Sequence, residues 1–270
     1  MTTTPSYDVE VVFMSLSQSA FSPKLLAVTL ATACAVVFSG CQNSAKEKPS
    51  VAATPQAAAP VNTYTTDFPL KESPISEGGR WIDGKSVGVD WGYVSTTPGL
   101  AVGHAGPKRF ADSVALLNGT WGPNQSAEAV VSSKKTLRYP EVSLRLRSDV
   151  SLHNCQGYEI SYSLKSDETA YLIMVRWNGG LADFTYLAQP HGKQYGVKTG
   201  DVVKATIVGN VITTYKNGVQ MGQVTDNTYL TGRPGFGFNE GINGDYGITR
   251  FTATDAPTGA TPTANSGDKK

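Results

Sequence analysis

The sequence has few of the residues that build metal sites, disulfide frameworks or nucleic-acid surfaces. Only three cysteines and three histidines occur in 270 residues, and His104, His153 and His191 lack the spacing of zinc ligands. The formal net charge of +1 provides no basic field that would attract a polyanion. We therefore expect no cofactor, no metal site built from cysteine and histidine, and no nucleic-acid partner.

Long hydrophobic runs are scarce as well. The apolar run at residues 25–38 has about 14 positions, fewer than the roughly 20 that a helix needs to cross a bilayer. It follows Lys24 and ends in small residues, which predicts a cleavable signal peptide at residues 24–40. The letters VFSGC at 37–41 resemble the bacterial lipobox, and this resemblance implies that Cys41 becomes the lipidated first residue of the mature protein. The alternative is an ordinary signal peptide that happens to contain a cysteine.

Residues 1–23 form a leader with an unusual charge pattern. Asp8 and Glu10 lie where a signal is normally basic, so Met14 is a candidate for the true translation start. Gln42 follows Cys41 at the position where inner-membrane lipoproteins of Gram-negative bacteria commonly have aspartate. We therefore expect a lipid-anchored protein of the bacterial cell envelope, at the outer membrane if the cell has one.

The rest of the chain divides into a linker, one folded segment and a tail. Residues 41–62 are rich in alanine, proline and polar residues, which predicts a flexible tether. Residues 255–270 have a similar composition and are expected to be disordered. Between them, residues 63–254 provide about 190 positions, enough for one well-buried core. This segment contains Cys155 alone, so no disulfide can form within it.

The apolar residues of this segment alternate with a period of two, which predicts an all-β domain. Alternation is clear at residues 139–147 and 158–164, whereas residues 171–177 are apolar on both faces until Arg176, as expected of a central strand. Residues 202–208 and 211–215 flank a two-residue turn at Gly209–Asn210, and Asn217–Gly218 predicts a second turn of the same primed kind. Residues 235–238 and 247–253 are predicted to be closing strands. Many short antiparallel strands indicate a two-sheet sandwich or jelly roll.

The order of these signals resembles a particular group of jelly rolls. DFPL at 67–70 precedes GGRW at 78–81, and the hairpin GDVVKATIVGNVITTYKNGV at 200–219 precedes GRPGFGF at 232–238 and GITRF at 247–251. This series is similar to the concanavalin A-like lectin/glucanase domains, and to laminin G-like modules in particular. The resemblance implies a two-sheet antiparallel jelly roll that binds a glycan, hydrolyses one or acts as a lyase on one.

The catalytic patterns of that group are incomplete in this chain. Laminarinase-like hydrolases carry three acidic residues at alternating positions of one strand, but the strand at 140–147 has only Glu141 and the next has only Glu159. Alginate-lyase relatives need an arginine-rich strand and a Gln-x-His motif; Arg145 and Arg147 faintly resemble the former, and the latter does not occur. We therefore favour a domain without catalysis and keep a polysaccharide-active enzyme as the alternative.

A polar sheet face is the candidate binding surface. If the polar sides of the predicted strands lie together, they form one polar sheet face. Its residues are Glu141, Ser143, Arg145, Glu159, Ser161 and Arg176, with Asn178 at the rim. The candidate aromatic platforms are Trp121, Tyr139, Trp177 and Tyr186. Charged and amide groups pair with sugar hydroxyls while an aromatic ring packs on the apolar face of a sugar. The predicted binding residues are Arg145, Glu159, Arg176, Trp177, Asn178 and Tyr186. The alternative interpretation is that the charges form cross-strand ion pairs on a solvated sheet and that Trp177 lies in the core, in phase with Val175.

Calcium is a secondary alternative at two loop sequences. Asp226–Asn227 and Asn243–Gly244–Asp245 could supply oxygen ligands, but they lack a spaced ligand series and are typical of turns. The sequence thus predicts a lipid-anchored jelly roll that binds a glycan or cell-envelope polysaccharide without catalysis. A polysaccharide hydrolase or lyase, and a structural or protein-interaction domain, are the alternatives.

Overall fold

The computed structural model describes residues 61–134, 140–239 and 245–256. The predicted leader, the signal peptide, Cys41, most of the tether and most of the tail lie outside these ranges, and the predictions for them stay predictions. Within the described ranges, no helix is both long enough and apolar enough to cross a membrane.

Almost all regular structure in the described residues is β. The strands, in chain order, are β1 (Thr63–Thr66), β2 (Trp81–Asp83), β3 (Tyr93–Thr97), β4 (Leu100–His104), β5 (Ser113–Leu117), β6 (Gln125–Ser133), β7 (Glu141–Ser151), β8 (Asn154–Ser163), β9 (Leu172–Gly179), β10 (Phe184–Ala188), β11 (Val202–Val208), β12 (Val211–Lys216), β13 (Val219–Thr225), β14 (Arg233–Asn239) and β15 (Tyr246–Thr254). A π-helical turn at Gly84–Gly88 and a 3₁₀ turn at Lys193–Tyr195 complete the list.

These strands form two antiparallel sheets. The first sheet has the order β13-β12-β11-β6-β15-β4-β3, and β1 pairs with β15 beside this path. The second sheet has the order β10-β9-β8-β7-β14-β5-β2. Two antiparallel sheets that share one core form a β-sandwich, so the predicted all-β, two-sheet fold class is confirmed.

The two predicted hairpin turns form where the sequence places them. Val208 pairs with Val211 across Gly209–Asn210, and Gly209 has a positive φ of 59°. Lys216 pairs with Val219 across Asn217 and Gly218, whose φ angles are 51° and 80°. Positive φ at these positions matches the twist of the flanking strands, which is why glycine and asparagine occur there.

The main core lies between the sheets. Alternate residues of the second sheet, such as Leu144 and Ile160, are fully buried and share one cluster with residues of the first sheet, such as Ala205 and Phe251. Trp81 belongs to this cluster, with its ring centroid 5.1 Å from that of Phe236. The apolar phase of β7 and β8, with even-numbered residues facing the partner sheet, agrees with the alternation in the sequence.

A second apolar cluster covers the outer face of the second sheet, the face that points away from the first sheet. Its strand residues, including Val114, Val175 and Trp177, all come from the second sheet, and Trp91 is added from the segment after the π-helical turn. Cys155 is a buried free thiol in this cluster, and burial raises its pKa to about 12. The outer face is therefore partly covered by connecting segments, which leaves room for a pocket and not for an open polar sheet.

Candidate functional site

An open pocket lies on the outer face of the second sheet. Its polar lining consists of Asp112, Glu141, Glu159, Ser161 and Asn239, and its aromatic lining of Phe110, Trp177, Phe184 and Tyr186. Pairing between strands explains this composition, since Glu141 lies opposite Asn239 and Glu159 lies opposite Val175, which in turn lies opposite Tyr186. A small site that combines polar groups with aromatic rings is typical of a binding pocket.

Glu159 is fixed at the floor of the pocket by three neighbours. Its Oε2 atom lies 3.0 Å from Nη2 of Arg145 and accepts a hydrogen bond of 2.5 Å from the indole Nε1 of Trp177. Its Oε1 atom accepts a hydrogen bond of 3.0 Å from Ser161. The side chains of Arg145 and Glu159 are only 1% and 4% exposed, so this ion pair is buried. Such a pair holds the carboxylate in one orientation, and loss of either partner is strongly destabilising.

Glu141 is a second carboxyl group of the pocket in a different electrostatic environment. The hydroxyl of Tyr171 donates a hydrogen bond to its Oε1 atom. The pKa of Glu141 is raised to about 7. Burial is the largest cause and the negative charge of Glu159 acts in the same direction, whereas hydrogen bonds from Tyr171, Asn239 and Ser161 lower the pKa. Its proton is therefore exchanged near neutral pH, which is the range useful for binding or for acid–base chemistry.

Aromatic rings form the wall and rim of the pocket. Tyr186 is 52% exposed, and its ring packs edge-on against Phe184 with a centroid distance of 5.4 Å. Phe110 packs edge-on against Phe184 at 5.3 Å, and the guanidinium of Arg109 lies 4.6 Å from the Phe110 centroid. An exposed ring beside buried polar groups can pack against the apolar face of a ligand while that ligand forms hydrogen bonds below.

The structure brings together part of the predicted polar face. Glu159, Trp177 and Tyr186 line the pocket, and Arg145 lies beneath it, paired with Glu159. The expected solvent exposure of the charged residues is wrong, because the second cluster covers the sheet there and leaves Arg145 fully buried. Trp177 is also buried, in phase with Val175 as the alternative interpretation states, although it lies on the outer face and not between the sheets.

Glu159 of β8 lies on the outer face of the second sheet, whereas Arg176 and Asn178 of β9 lie on the other face. The expectation that all three share one face is therefore wrong for Arg176 and Asn178. Arg176 pairs across the sheet with Tyr158, which faces the inter-sheet core. Its Nη1 atom contacts Asp226 at 2.5 Å, and its Nε atom donates to Asn178 at 3.0 Å. The physical reason is the two-residue period of the strand. Because β9 is apolar on both faces, polarity alone could not fix its phase.

The remaining platform candidates are not part of the described pocket. Trp121 packs against the inter-sheet core, and its Nε1 atom donates to the carbonyl of Asn118 at 3.2 Å. Tyr139 lies outside the described residues. Arg147, predicted beside Arg145, is instead at an irregularity of β7 with a φ of 45°, and its guanidinium donates to three backbone carbonyls, those of Pro123, Gly209 and Tyr229.

The calcium alternative finds no matching site in the residues that the structure describes. No group of three or more histidine, cysteine, aspartate or glutamate side chains in these ranges could hold a metal ion. Asp226 accepts hydrogen bonds from Tyr158, Arg176 and the backbone N–H of Thr228. A guanidinium at that position does not fit a cation site. Asn243 and Gly244 of the other loop lie outside the described residues.

Sequence reasoning missed the part of the pocket that comes from connecting segments. Phe110 and Asp112 precede β5, and Asn239 ends β14. No periodic pattern marks these positions, because two of them lie outside strands and the third ends one. The available signal was that the odd-numbered residues of β9, including Val175 and Trp177, are apolar. Apolar residues on an outer sheet face indicate that another segment packs over them.

Comparisons with solved structures find similar chains at low sequence identity. No protein-family model matches the chain, and no curated protein matches it. The carbohydrate-binding module CBM66 from Bacillus subtilis is 15% identical with a TM-score of 0.45, over 67% of this chain and 95% of the module. The metal-free exoplasmic/lumenal domain of VIP36 is 14% identical with a TM-score of 0.48, over 73% and 92% of the two chains. The kappa-carrageenase from Pseudoalteromonas carrageenovora, in complex with an oligotetrasaccharide of kappa-carrageenan, is 12% identical with a TM-score of 0.43, over 75% and 99%. At these identities the similarity is one of fold and identifies no ligand.

Proposed function

We propose that this protein binds a carbohydrate in the pocket on the outer face of the second sheet. The observation that supports this most directly is the combination of Glu141, Glu159 and Asn239 in the floor with Tyr186 at the rim. Carboxylate and amide oxygens accept hydrogen bonds from sugar hydroxyls, and an exposed aromatic ring packs against the C–H face of a sugar.

The floor retains acceptor capacity for a ligand. A carboxylate has about four lone-pair sites, and the internal partners of Glu159 are Arg145, Ser161 and Trp177. These partners also fix its orientation, so little side-chain entropy is lost when a ligand binds. The pocket is open to solvent, so a longer chain can extend beyond it. The pocket thus suits one end or a short segment of a glycan.

We propose that the protein carries out this binding at the bacterial cell envelope. The signal at residues 24–40 and the lipobox-like letters at 37–41 support a lipid anchor on Cys41, and residues 42–62 supply a polar linker to β1. The anchor would keep the pocket near the envelope, where polysaccharides are available as ligands.

A glycan array followed by calorimetric titration tests the binding proposal. Tyr186→Ala should weaken the affinity for the bound glycan about tenfold, because it removes the exposed ring that packs against the sugar. Tyr93→Ala is the matched control, since Tyr93 lies on the first sheet, where it stacks on His104 with a centroid distance of 4.6 Å. Equal losses in the two variants, or no binding of any glycan by the wild type, would contradict the proposal.

A second candidate function is hydrolysis of a glycosidic bond, and one specific observation favours it. Glu141 and Glu159 line the same pocket together with Asp112, and the pKa of Glu141 is raised to about 7. Glycoside hydrolases use one protonated carboxyl as general acid and a second carboxylate as nucleophile or base. The argument against this role is that the positive charge of Arg145 and the hydrogen bond from Trp177 stabilise the carboxylate of Glu159 and make it a weaker nucleophile or base.

Release of new reducing ends from a glycan that binds tests the hydrolase candidate. Hydrolysis predicts turnover in the wild type and a loss of at least a hundredfold in Glu141→Gln, with binding retained. Binding without any release of reducing ends would leave the noncatalytic function and exclude the hydrolase with that glycan.

A further inference from the structure

The charged side chains of the described residues that line the pocket are all acidic. Asp112, Glu141 and Glu159 line it, and the described lining contains no lysine, arginine or histidine. Arg145 lies beneath the floor, but it is paired with Glu159 at 3.0 Å and is fully buried. The polar face that a ligand meets therefore has a negative character.

Glu141 is the carboxyl group whose charge is least compensated. Its hydrogen-bond partner Tyr171 is neutral, as are Asn239 and Ser161, which also act on it. No basic side chain of the described residues forms an ion pair with Glu141, in contrast to Glu159. A buried carboxylate without a positive neighbour is costly, so a cationic group of a ligand would interact with Glu141 more favourably than a neutral group.

The basic groups near the pocket lie at its edges. Arg109 lies over the ring of Phe110, with 4.6 Å between the guanidinium carbon and the ring centroid. Lys165 lies 5.9 Å from the centroid of the Tyr171 ring, on whose hydroxyl Glu141 depends. Neither lines the pocket. An acidic sugar would therefore bring a negative charge towards Glu141 and Glu159, whereas the basic groups of the described residues are outside the lining.

We propose that the pocket selects amino sugars, with the ammonium group of the ligand placed against Glu141, over neutral and acidic sugars. This inference rests on the proposed carbohydrate binding and names the chemical class of the ligand. The ammonium group is a charge-assisted donor, and hydrogen bonds of that kind are roughly twice as strong as neutral ones. Binding also couples to ionisation, because a cation beside Glu141 favours its charged form and lowers its pKa.

Calorimetric titration of the wild-type protein with matched oligosaccharides tests this inference. The ligands are a glucosamine oligosaccharide, its N-acetylated form and a galacturonic acid oligosaccharide of the same length. At pH 6 the glucosamine amine is protonated, and Glu141, with a pKa of about 7, still carries its proton. We expect the glucosamine form to bind at least tenfold more tightly than the N-acetylated form. We also expect most of one proton to be released, seen as different binding enthalpies in buffers of different ionisation enthalpy.

The variant Glu141→Gln assigns the proton to this side chain. We expect it to lose both the preference for the charged ligand and the proton release, while Glu128→Gln, an exposed residue 3.9 Å from Lys204 on the first sheet, behaves like the wild type. If Glu141→Gln fails to fold, the proton release measured with the wild-type protein tests the inference by itself. Equal or tighter binding of the N-acetylated ligand, tighter binding of the acidic ligand, or no proton release would each overturn the selectivity while carbohydrate binding stands. Absence of binding to every sugar would overturn the proposed function itself.

Discussion

Replacement of Glu141 by glutamine should change the pH dependence of stability in a way that the structure specifies. Glu141 is 6% exposed, and glutamine has nearly the same shape as a protonated glutamate. The variant therefore keeps the packing and removes only the titration. Because the pKa of Glu141 is raised to about 7 from an ordinary value of 4.5, the folded protein binds this proton more tightly than the unfolded chain does.

The stabilising effect of this proton is fully present below pH 4.5 and is lost as the pH rises through 7. A difference of about 2.5 pKa units corresponds to about 3 kcal/mol in total at ~1.36 kcal/mol per unit. Between pH 5 and pH 8 the corresponding loss is about 2.5 kcal/mol. We thus expect the stability of the wild type, relative to Glu141→Gln, to fall by about this amount over that interval.

Urea unfolding of both proteins at pH 5, 6, 7 and 8 measures this difference. All other ionisable groups are the same in both proteins, so the difference between the two curves isolates Glu141. Glu128→Gln is the control and should follow the wild type, because an exposed ion pair contributes only about 0–1 kcal/mol. Parallel curves for the wild type and Glu141→Gln would refute the buried, uncompensated environment assigned to this carboxyl group.

Two further predictions concern the buried ion pair and the anchor. Arg145→Met should destabilise the protein by about 3–5 kcal/mol, because it leaves Glu159 buried without its counter-charge, and the double variant Arg145→Met/Glu159→Gln should recover much of that loss in urea unfolding. Equal stability of the single variant and the wild type would contradict the burial of this pair. Cys41→Ser should abolish incorporation of a fatty-acid analogue and release the protein from membranes, because only the cysteine thiol accepts the lipid; a serine variant that is still labelled and sediments with membranes would contradict the anchor.

The fold could be predicted from sequence because strand and turn signals are local. The alternation in β7 and β8 depends on neighbouring residues alone, and the turn at Asn217–Gly218 requires positive φ angles that these two residues adopt easily. The all-β class and the positions of the later strands follow directly from such signals. The early strands, from β2 to β5, are short and lie among loops, so they gave weaker patterns.

The site could be predicted only in part because its composition depends on contacts distant in sequence. Glu159 and Tyr186 were found from polarity and from aromatic character, but Arg176 was assigned to the wrong face, since both faces of β9 are apolar. Burial of Arg145 depends on connecting segments that pack over the second sheet, one before β3 that carries Trp91 and one before β5 that carries Phe110. No local sequence pattern predicts where such a connecting segment packs.

Chemical-shift mapping of the protein with the glycan selected on the array tests the central claim most directly. We predict that the largest shifts of backbone amides occur around Asp112, Glu141, Ser161, Tyr186 and Asn239, which line the pocket. Shifts of similar size should be absent from β11 and β12 of the first sheet. Shifts concentrated on the first sheet, or around Arg176 and Asp226, would contradict the claim that the outer-face pocket is the carbohydrate site.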